Sequence, residues 1–89
     1  MSIGFDKNNN KLEHGDICKF KIKDKKYEGI IGYSEEDFAY TFEMKDNNFP
    51  SVLMNKVDFG SIEKIIGIYS TKLEDEYSFY RELWNKGKI

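Results

Sequence analysis

The sequence predicts an all-β fold, mainly β with one C-terminal helix, built as a small SH3-like barrel or a strongly bent five-stranded antiparallel sheet. Apolar and polar residues alternate with a period of two through most of residues 14–69, as in half-buried strands. After residue 71 the aromatic residues recur at helical spacing instead. The chain has 89 residues, 16% aromatic and one proline, which favours strands and a single domain, residues 1–89, with an aromatic core.

Residues 14–33 form the predicted hairpin around which the fold is organised. A two-residue turn at Asp24 and Lys25 would place Lys21 opposite Glu28 as a cross-strand charge pair. Because side chains alternate between the two faces of a strand, one face is predicted to be the core side and the other to be solvated. The predicted core face comprises Cys18, Phe20, Ile22, Tyr27 and Ile31, and the predicted solvated face comprises Lys19, Lys21, Lys23, Lys26, Glu28 and Ile30.

Three further strands follow the hairpin. An acidic connection at 34–37 leads to a third strand at 38–44, where Phe38, Tyr40, Phe42 and Met44 are predicted to share one face. A loop at 45–51 ends in a short fourth strand at 51–55, and residues 56–60 interrupt the pattern. Residues 62–69 form the fifth strand, and its apolar residues on both sides predict a central or barrel-closing position. Residues 1–13 are predicted to be mainly a loop.

The C-terminal segment is predicted to be one amphipathic helix over 71–86. Thr71 and Glu74 fit a capping box, in which each side chain accepts a hydrogen bond from a free backbone N–H at the helix start. Gly87 is expected to end the helix. The apolar stripe of the helix comprises Leu73, Tyr77, Tyr80 and Trp84.

Charge and composition exclude several classes of protein. With 14 basic and 16 acidic residues the net charge is −2, so no general attraction to nucleic acid or membranes is expected. Charge is nevertheless uneven, with five lysines in residues 19–26 and an acidic surplus in residues 35–46. The single cysteine cannot form an internal disulfide, and neither a secretory signal nor an apolar run of about 18 residues is present. A cytoplasmic protein is therefore expected.

Four short segments resemble the YopX family of phage and prophage proteins. They are Gly4 to Leu12, Gly15-Asp-Ile-Cys-Lys19, Gly29-Ile-Ile-Gly-Tyr33 and Ile65-Ile-Gly-Ile-Tyr69. Their order and spacing over residues 4–69 match that family's D-x-N-G-K-x-I turn, E-G-D-I-V strand start, G-x-V-x-Y strand and V-I-G-N-I-Y closing strand. Asn10 and His14 depart from the pattern, and the family's N-terminal lead-in is absent. The resemblance implies an all-β fold, a mobile-element origin and a location in the bacterial host, but no catalytic residue.

No constellation of catalytic residues is found. His14 beside Asp16 could suggest acid–base or metal chemistry, but a turn residue is favoured because no second ligand or nucleophile lies at useful spacing. Cys18 lies on the predicted core face, so a buried packing thiol is favoured over a nucleophile. Phosphate-binding loops and nucleophile elbows are also lacking. The sequence therefore predicts a protein that is not an enzyme and that needs no metal or cofactor.

Three surfaces are candidates for binding. The row of Lys19, Lys21, Lys23 and Lys26 could bind single-stranded nucleic acid, although a solvated face is favoured. The acidic connection 34–37 could occupy a basic groove on a host protein, and a solvated turn is again favoured. The helix stripe of Leu73, Tyr77, Tyr80 and Trp84 is expected mainly to cover the core, but any part left exposed would suit a partner or a dimer.

The leading prediction is a phage- or prophage-encoded interaction protein that binds a host or phage protein through the helix stripe. Inhibition of a host defence is one form that this function could take. A nucleic-acid-binding barrel that uses the lysine row is the alternative. Partner identity and homo-oligomerisation are left open.

Overall fold

The chain forms one five-stranded antiparallel sheet followed by a helix in a computed structural model, which describes residues 3–45, 48–70 and 76–89. The described strands run in the spatial order β4-β3-β2-β1-β5. The predicted fold class, mainly β with one C-terminal helix, is confirmed. The elements are β1 Asp16–Ile22, β2 Lys25–Ser34, β3 Ala39–Glu43, β4 Ser51–Leu53, a 3-10 turn Met54–Lys56, β5 Asp58–Gly67 and α1 Ser78–Asn85.

The sheet is strongly bent. The molecule measures 29 × 29 × 28 Å along its principal axes, whereas a flat sheet with one helix layer would be only about 20 Å thick. The pairing of β1 with β5 shifts register twice, between Ile17 and Cys18 and between Lys19 and Lys21. Such irregularities increase the local twist and bend of the strands. The 3-10 turn contacts both β3 and β5 and so helps to fold the two ends of the sheet towards each other.

The turn of the first hairpin lies one residue earlier than predicted. Lys23 and Asp24 both adopt left-handed backbone conformations, with φ of 47° and 67°. Two left-handed central residues give the tight primed turn that matches the twist of paired strands. Lys21 therefore pairs with Lys26, and Glu28 lies opposite Lys19, so the predicted Lys21–Glu28 pair is wrong. Moving the turn by one residue shifts the register by two, which leaves every side chain on its predicted face.

The first hydrophobic core lies on the predicted inner face of the hairpin. Phe20 and Phe42 stack at its centre, with ring centroids 4.1 Å apart. Ile22 and Tyr27 pack against it as partly buried residues. The prediction of this core face is confirmed. Its buried members are Leu12, Cys18, Phe20, Ile31, Phe42, Met44, Met54, Val57 and Ile62.

A second hydrophobic core lies on the opposite face of the same strands. Ile17 and Ile30 are buried there together with Ile68 and Tyr80 of the C-terminal segment. The prediction that the outer face is solvated is therefore wrong for Ile30, although Lys19, Lys21 and Lys26 remain exposed. The period-two pattern shows which side chains share a face, but it does not show which faces a later helix will cover.

Two of the predicted later strands need correction. The third strand begins at Ala39, and the side chain of Phe38 is exposed, while Phe42 and Met44 lie in the first core as predicted. β5 begins at Asp58 and so includes residues that were predicted to interrupt the pattern. Ile65 is an extra residue between the pairs Cys18–Lys64 and Ile17–Ile66. This bulge reverses the alternation, so that Ile62 belongs to the first core and Ile66 packs against the second.

The described helix is shorter than predicted. It begins at Ser78, after a turn at residues 76 and 77, and the predicted capping box of Thr71 and Glu74 lies outside the described residues. The helix ends at Asn85, and Gly87 terminates it as predicted. Gly87 has φ 68°, its N–H donates to the carbonyl of Trp84, and the N–H of Lys88 donates to the carbonyl of Leu83, which is a Schellman cap.

Candidate functional site

The helix aromatic residues mostly cover the second core. Tyr80 is only 1% exposed and its hydroxyl donates a hydrogen bond of 3.0 Å to the carboxylate of Glu28. Burial, together with the charge of Glu28, raises the pKa of the Tyr80 hydroxyl. Tyr77 is partly buried, and Leu73 lies outside the described residues. Tyr80 therefore cannot belong to an exposed binding surface in this fold, because its ring packs against the sheet.

Trp84 packs against the residues that precede β1. Its ring lies 5.2 Å from the ring of His14 and 5.7 Å from that of Tyr69, measured between centroids. Gly15, with φ 92°, lies beneath the indole, and a Cβ at this position would come within 2.9 Å of Trp84 Cζ3. Trp84 is thus a partly buried packing residue. Position 15 therefore requires glycine for two reasons: its φ is positive, and a side chain there would clash with the Trp84 indole.

A basic groove lies on the outer face of β1 and β2. It has a volume of about 520 Å³, and it brings together three of the four predicted lysines, Lys19, Lys21 and Lys26. Lys23 lies in the hairpin turn and does not line the groove. We call this feature the lysine groove; its lining residues are Lys7, Lys19, Phe20, Lys21, Lys26, Tyr27, Glu28, Ser61 and Glu63.

Lys7 is a fourth lysine of the groove that sequence reasoning did not find. The N-terminal loop is attached to β5, where the N–H of Lys7 donates to the carbonyl of Ile62 at 2.9 Å. Its ammonium group lies 3.6 Å from the carboxylate of Glu63. Lys7 is therefore partly neutralised within the groove. No local sequence signal connects residue 7 with residue 21, because their proximity depends on the long-range pairing of the loop with β5.

The connection between β2 and β3 presents an exposed phenylalanine among carboxylates. Phe38 is 81% exposed and has φ 50°, in the left-handed region that bulky residues rarely adopt. Glu35, Glu36 and Asp37, which precede it, are exposed as well. The Ser34 hydroxyl lies 2.9 Å from the Asp37 carboxylate, and the N–H of Asp37 donates to the same hydroxyl oxygen, which holds the turn in shape. We call residues 35–38 the Phe38 turn.

The sequence predicted the acidic residues of the Phe38 turn but not the exposure of Phe38. The sequence indicated an acidic connection at 34–37, but Phe38 was assigned to the core face of the third strand because it continues the alternation of Tyr40 and Phe42. In the structure Tyr33 and Tyr40 form the last aromatic pair of the hairpin, with ring centroids 5.1 Å apart. The strand pairing ends at Ser34 and Ala39, and Phe38 lies outside the ladder.

The remaining candidates for chemistry are packing residues. Cys18 is fully buried as predicted, and burial raises the pKa of its thiol, so little thiolate is present at neutral pH. His14 is exposed and its ring lies against Trp84. Over residues 3–45, 48–70 and 76–89, no group of three or more histidine, cysteine or acidic side chains is arranged to hold a metal ion.

Comparison with known proteins does not assign the chain to a family: no family model, no curated protein and no solved structure matches it. Among the described residues, no helix is both long enough and apolar enough to cross a bilayer.

Proposed function

We infer that the chain is a non-catalytic interaction protein that binds another protein through the Phe38 turn. The observation that carries this proposal is Phe38, an aromatic residue that is 81% exposed in a left-handed backbone conformation. We propose this surface in place of the helix stripe predicted from the sequence, because Tyr80 of that stripe is only 1% exposed.

Phe38 is unfavourable for folding in two ways. The left-handed conformation costs an L-residue about 1–2 kcal/mol, and asparagine or glycine would adopt it more easily. The exposed ring gains almost no stabilisation from burial. A side chain that costs stability at the tip of an ordered turn is typical of a functional position.

Aromatic anchors surrounded by charges are common in protein interfaces. Buried aromatic side chains often contribute most of the binding free energy, and the charges at the rim select the partner and speed up its encounter. The carboxylates of Glu35, Glu36 and Asp37 would complement a partner with an apolar pocket rimmed by lysine or arginine. The resemblance of residues 4–69 to the YopX family supports a phage or prophage origin and a host or phage protein as partner. Inhibition of a host defence would be one outcome of such binding.

Replacement of Phe38 by asparagine separates binding from folding. We expect Phe38→Asn to leave the free energy of unfolding unchanged or to raise it by up to about 1 kcal/mol, because asparagine tolerates the left-handed conformation. The same variant should lose the partner that the wild-type protein retains in affinity capture from phage-infected bacterial cells. Urea denaturation measures the first effect, and quantitative mass spectrometry of the captured proteins measures the second.

Phe5→Asn is the matched control, because Phe5 is also an exposed phenylalanine but does not lie in the Phe38 turn. It should retain the partner. Retention of the partner by Phe38→Asn would refute the proposal, and a loss of stability in this variant would show that Phe38 serves the fold.

A further inference from the structure

The Phe38 turn and the lysine groove lie near opposite ends of the same strand. Lys26 and Tyr27, which line the groove, are at the start of β2, and the Phe38 turn follows its last residue, Ser34. Tyr27 and Ser34 are seven positions apart in the chain, which corresponds to about 23 Å of extended strand. One end of the strand is thus basic, and the other is acidic with an exposed aromatic tip.

The two surfaces are complementary in charge. Three carboxylates, those of Glu35, Glu36 and Asp37, precede Phe38 in the turn. In the groove, Lys7 forms an ion pair with Glu63. Among the described residues, no carboxylate forms an ion pair with Lys19, Lys21 or Lys26. Three unpaired lysines therefore face solvent around the groove.

The two surfaces also match in size. The groove volume of about 520 Å³ is within the usual range for pockets that hold a small group of atoms, such as one phenyl ring with adjacent carboxylates. Because the tip and the groove lie at opposite ends of β2, the tip of one molecule meets the groove of another more readily than its own.

We propose that the chain binds a second copy of itself, with the Phe38 turn of one copy inserted into the lysine groove of the next. This inference rests on the proposed function of the Phe38 turn and names a second copy of the chain as one protein that the turn binds. The contact is heterologous, since it joins two different surfaces, and repetition of the contact builds a chain of molecules unless the geometry closes it into a ring.

Nucleic acid is the less suitable occupant of the groove. A single strand needs a basic path along several phosphates, whereas this groove contains the carboxylates of Glu28 and Glu63 among its lysines. The net charge of −2 also disfavours the approach of a polyanion, while a short acidic tip needs only the local charge of the groove.

Sedimentation equilibrium of the purified chain tests the proposal. The interface is small, so the association is expected to be weak and to require protein concentrations up to about 1 mM at low salt. We expect the average mass to rise above the 10.5 kDa of one chain with increasing protein concentration and to fall again when salt is added. Two double variants each remove one half of the contact: Phe38→Asn/Glu36→Gln changes the Phe38 turn, and Lys21→Gln/Lys26→Gln changes the lysine groove. We expect each of them to weaken the association at least about tenfold.

A mixture of the two double variants shows whether the contact joins tip to groove. Each variant alone lacks one half of the contact, but the intact tip of one fits the intact groove of the other. We expect a 1:1 complex of two chains that does not grow further. Lys56→Gln and Glu82→Gln, which neutralise exposed charges away from both surfaces, should associate like the wild-type protein.

Three results would overturn self-association: a monomer at every concentration, no complex in the mixture, or a fluorescent oligonucleotide that binds the wild-type chain and not Lys21→Gln/Lys26→Gln. The last would assign the groove to nucleic acid. None of these results affects the proposed function of Phe38, which fails only if Phe38→Asn retains its captured partner or loses stability.

Discussion

At the scale of single residues, Asp6 connects the N-terminal loop to the edge of the sheet. Its carboxylate accepts hydrogen bonds from the N–H groups of Asn8 and Asn10, from the side-chain amide of Asn10 and from the N–H of Lys64 in β5. Lys64 lies on the edge strand, where an unpaired N–H would otherwise be available to other chains. One side chain therefore orders a loop and protects an edge.

The environment of Asp6 makes the stability of the protein sensitive to acid. Burial alone would raise the pKa of this carboxyl, but the hydrogen bonds from Lys64, Asn10 and Asn8 outweigh it and lower the pKa to about 2 from the ordinary 3.8. Because the folded state binds the proton less tightly than the unfolded state, this contribution is complete above about pH 4. It is lost as the pH falls towards 2.

We expect Asp6→Asn to lower the free energy of unfolding at pH 7 by about 1–3 kcal/mol, because the amide nitrogen cannot accept the hydrogen bonds that a carboxylate oxygen accepts. The wild-type protein should lose more stability than the variant between pH 4 and pH 2. Urea denaturation at several pH values measures both effects. Asp24→Asn, at an exposed turn position, is the control and should behave like the wild-type protein. Equal acid sensitivity of Asp6→Asn and the wild-type protein would contradict this account.

At the scale of elements, the position of α1 depends on a glycine in the strand entry. Gly15 has φ 92°, and a Cβ built on it would lie 2.9 Å from Ile68 Cγ2 and from Trp84 Cζ3. The helix can therefore approach the sheet closely only if residue 15 lacks a side chain. The backbone of residue 15 is held by the hydrogen bond from its N–H to the carbonyl of Ile31.

Gly15→Ala should displace the helix from the sheet. We expect a loss of about 2 kcal/mol or more, from the left-handed backbone together with the clash, and a red shift in the emission of Trp84, the only tryptophan. Gly87→Ala is the matched control, because Gly87 also has positive φ but a Cβ at this position would have no atom within 4 Å. It should cost about 1 kcal/mol without changing the emission. An unchanged emission spectrum in Gly15→Ala would refute the role of this contact.

At the scale of the whole molecule, the two cores share the same strands. Ile17 and Cys18 are neighbours in β1 but belong to different cores, and so do Ile30 and Ile31 in β2. Each face of these strands is therefore packed, one against the bent sheet and the other against the helix. Loss of either core exposes strands that the other core needs, so the two should unfold together.

We expect Tyr80→Ala to lower the stability of the entire molecule by about 3–5 kcal/mol, because it empties the centre of the second core. Tyr80→Phe, which keeps the ring and loses the hydrogen bond to Glu28, should cost only about 1 kcal/mol. In urea, Trp84 fluorescence and the circular dichroism of the sheet should change in one transition. Separate transitions would show that the helix and the sheet are independent.

The sequence by itself determined the class of fold, the faces of the two strands of the first hairpin and the residue that ends the helix. These features depend on local chemistry: alternation decides which side chains share a face, and Gly87 ends the helix because it tolerates positive φ. The same reasoning correctly placed Cys18 and Phe20 in the core. It also indicated the lysines and the acidic connection that contribute to the two candidate surfaces.

Only the tertiary structure decided the register of the first hairpin, the burial of Ile30, the addition of Lys7 to the groove and the exposure of Phe38. Each of these features depends on contacts between residues far apart in the chain or on where strand pairing stops. Alternation extends through Phe38 in the sequence, but hydrogen bonding to β2 ends at Ala39. A repeating pattern identifies the residues that could pair, and the closure of the sheet determines which of them do.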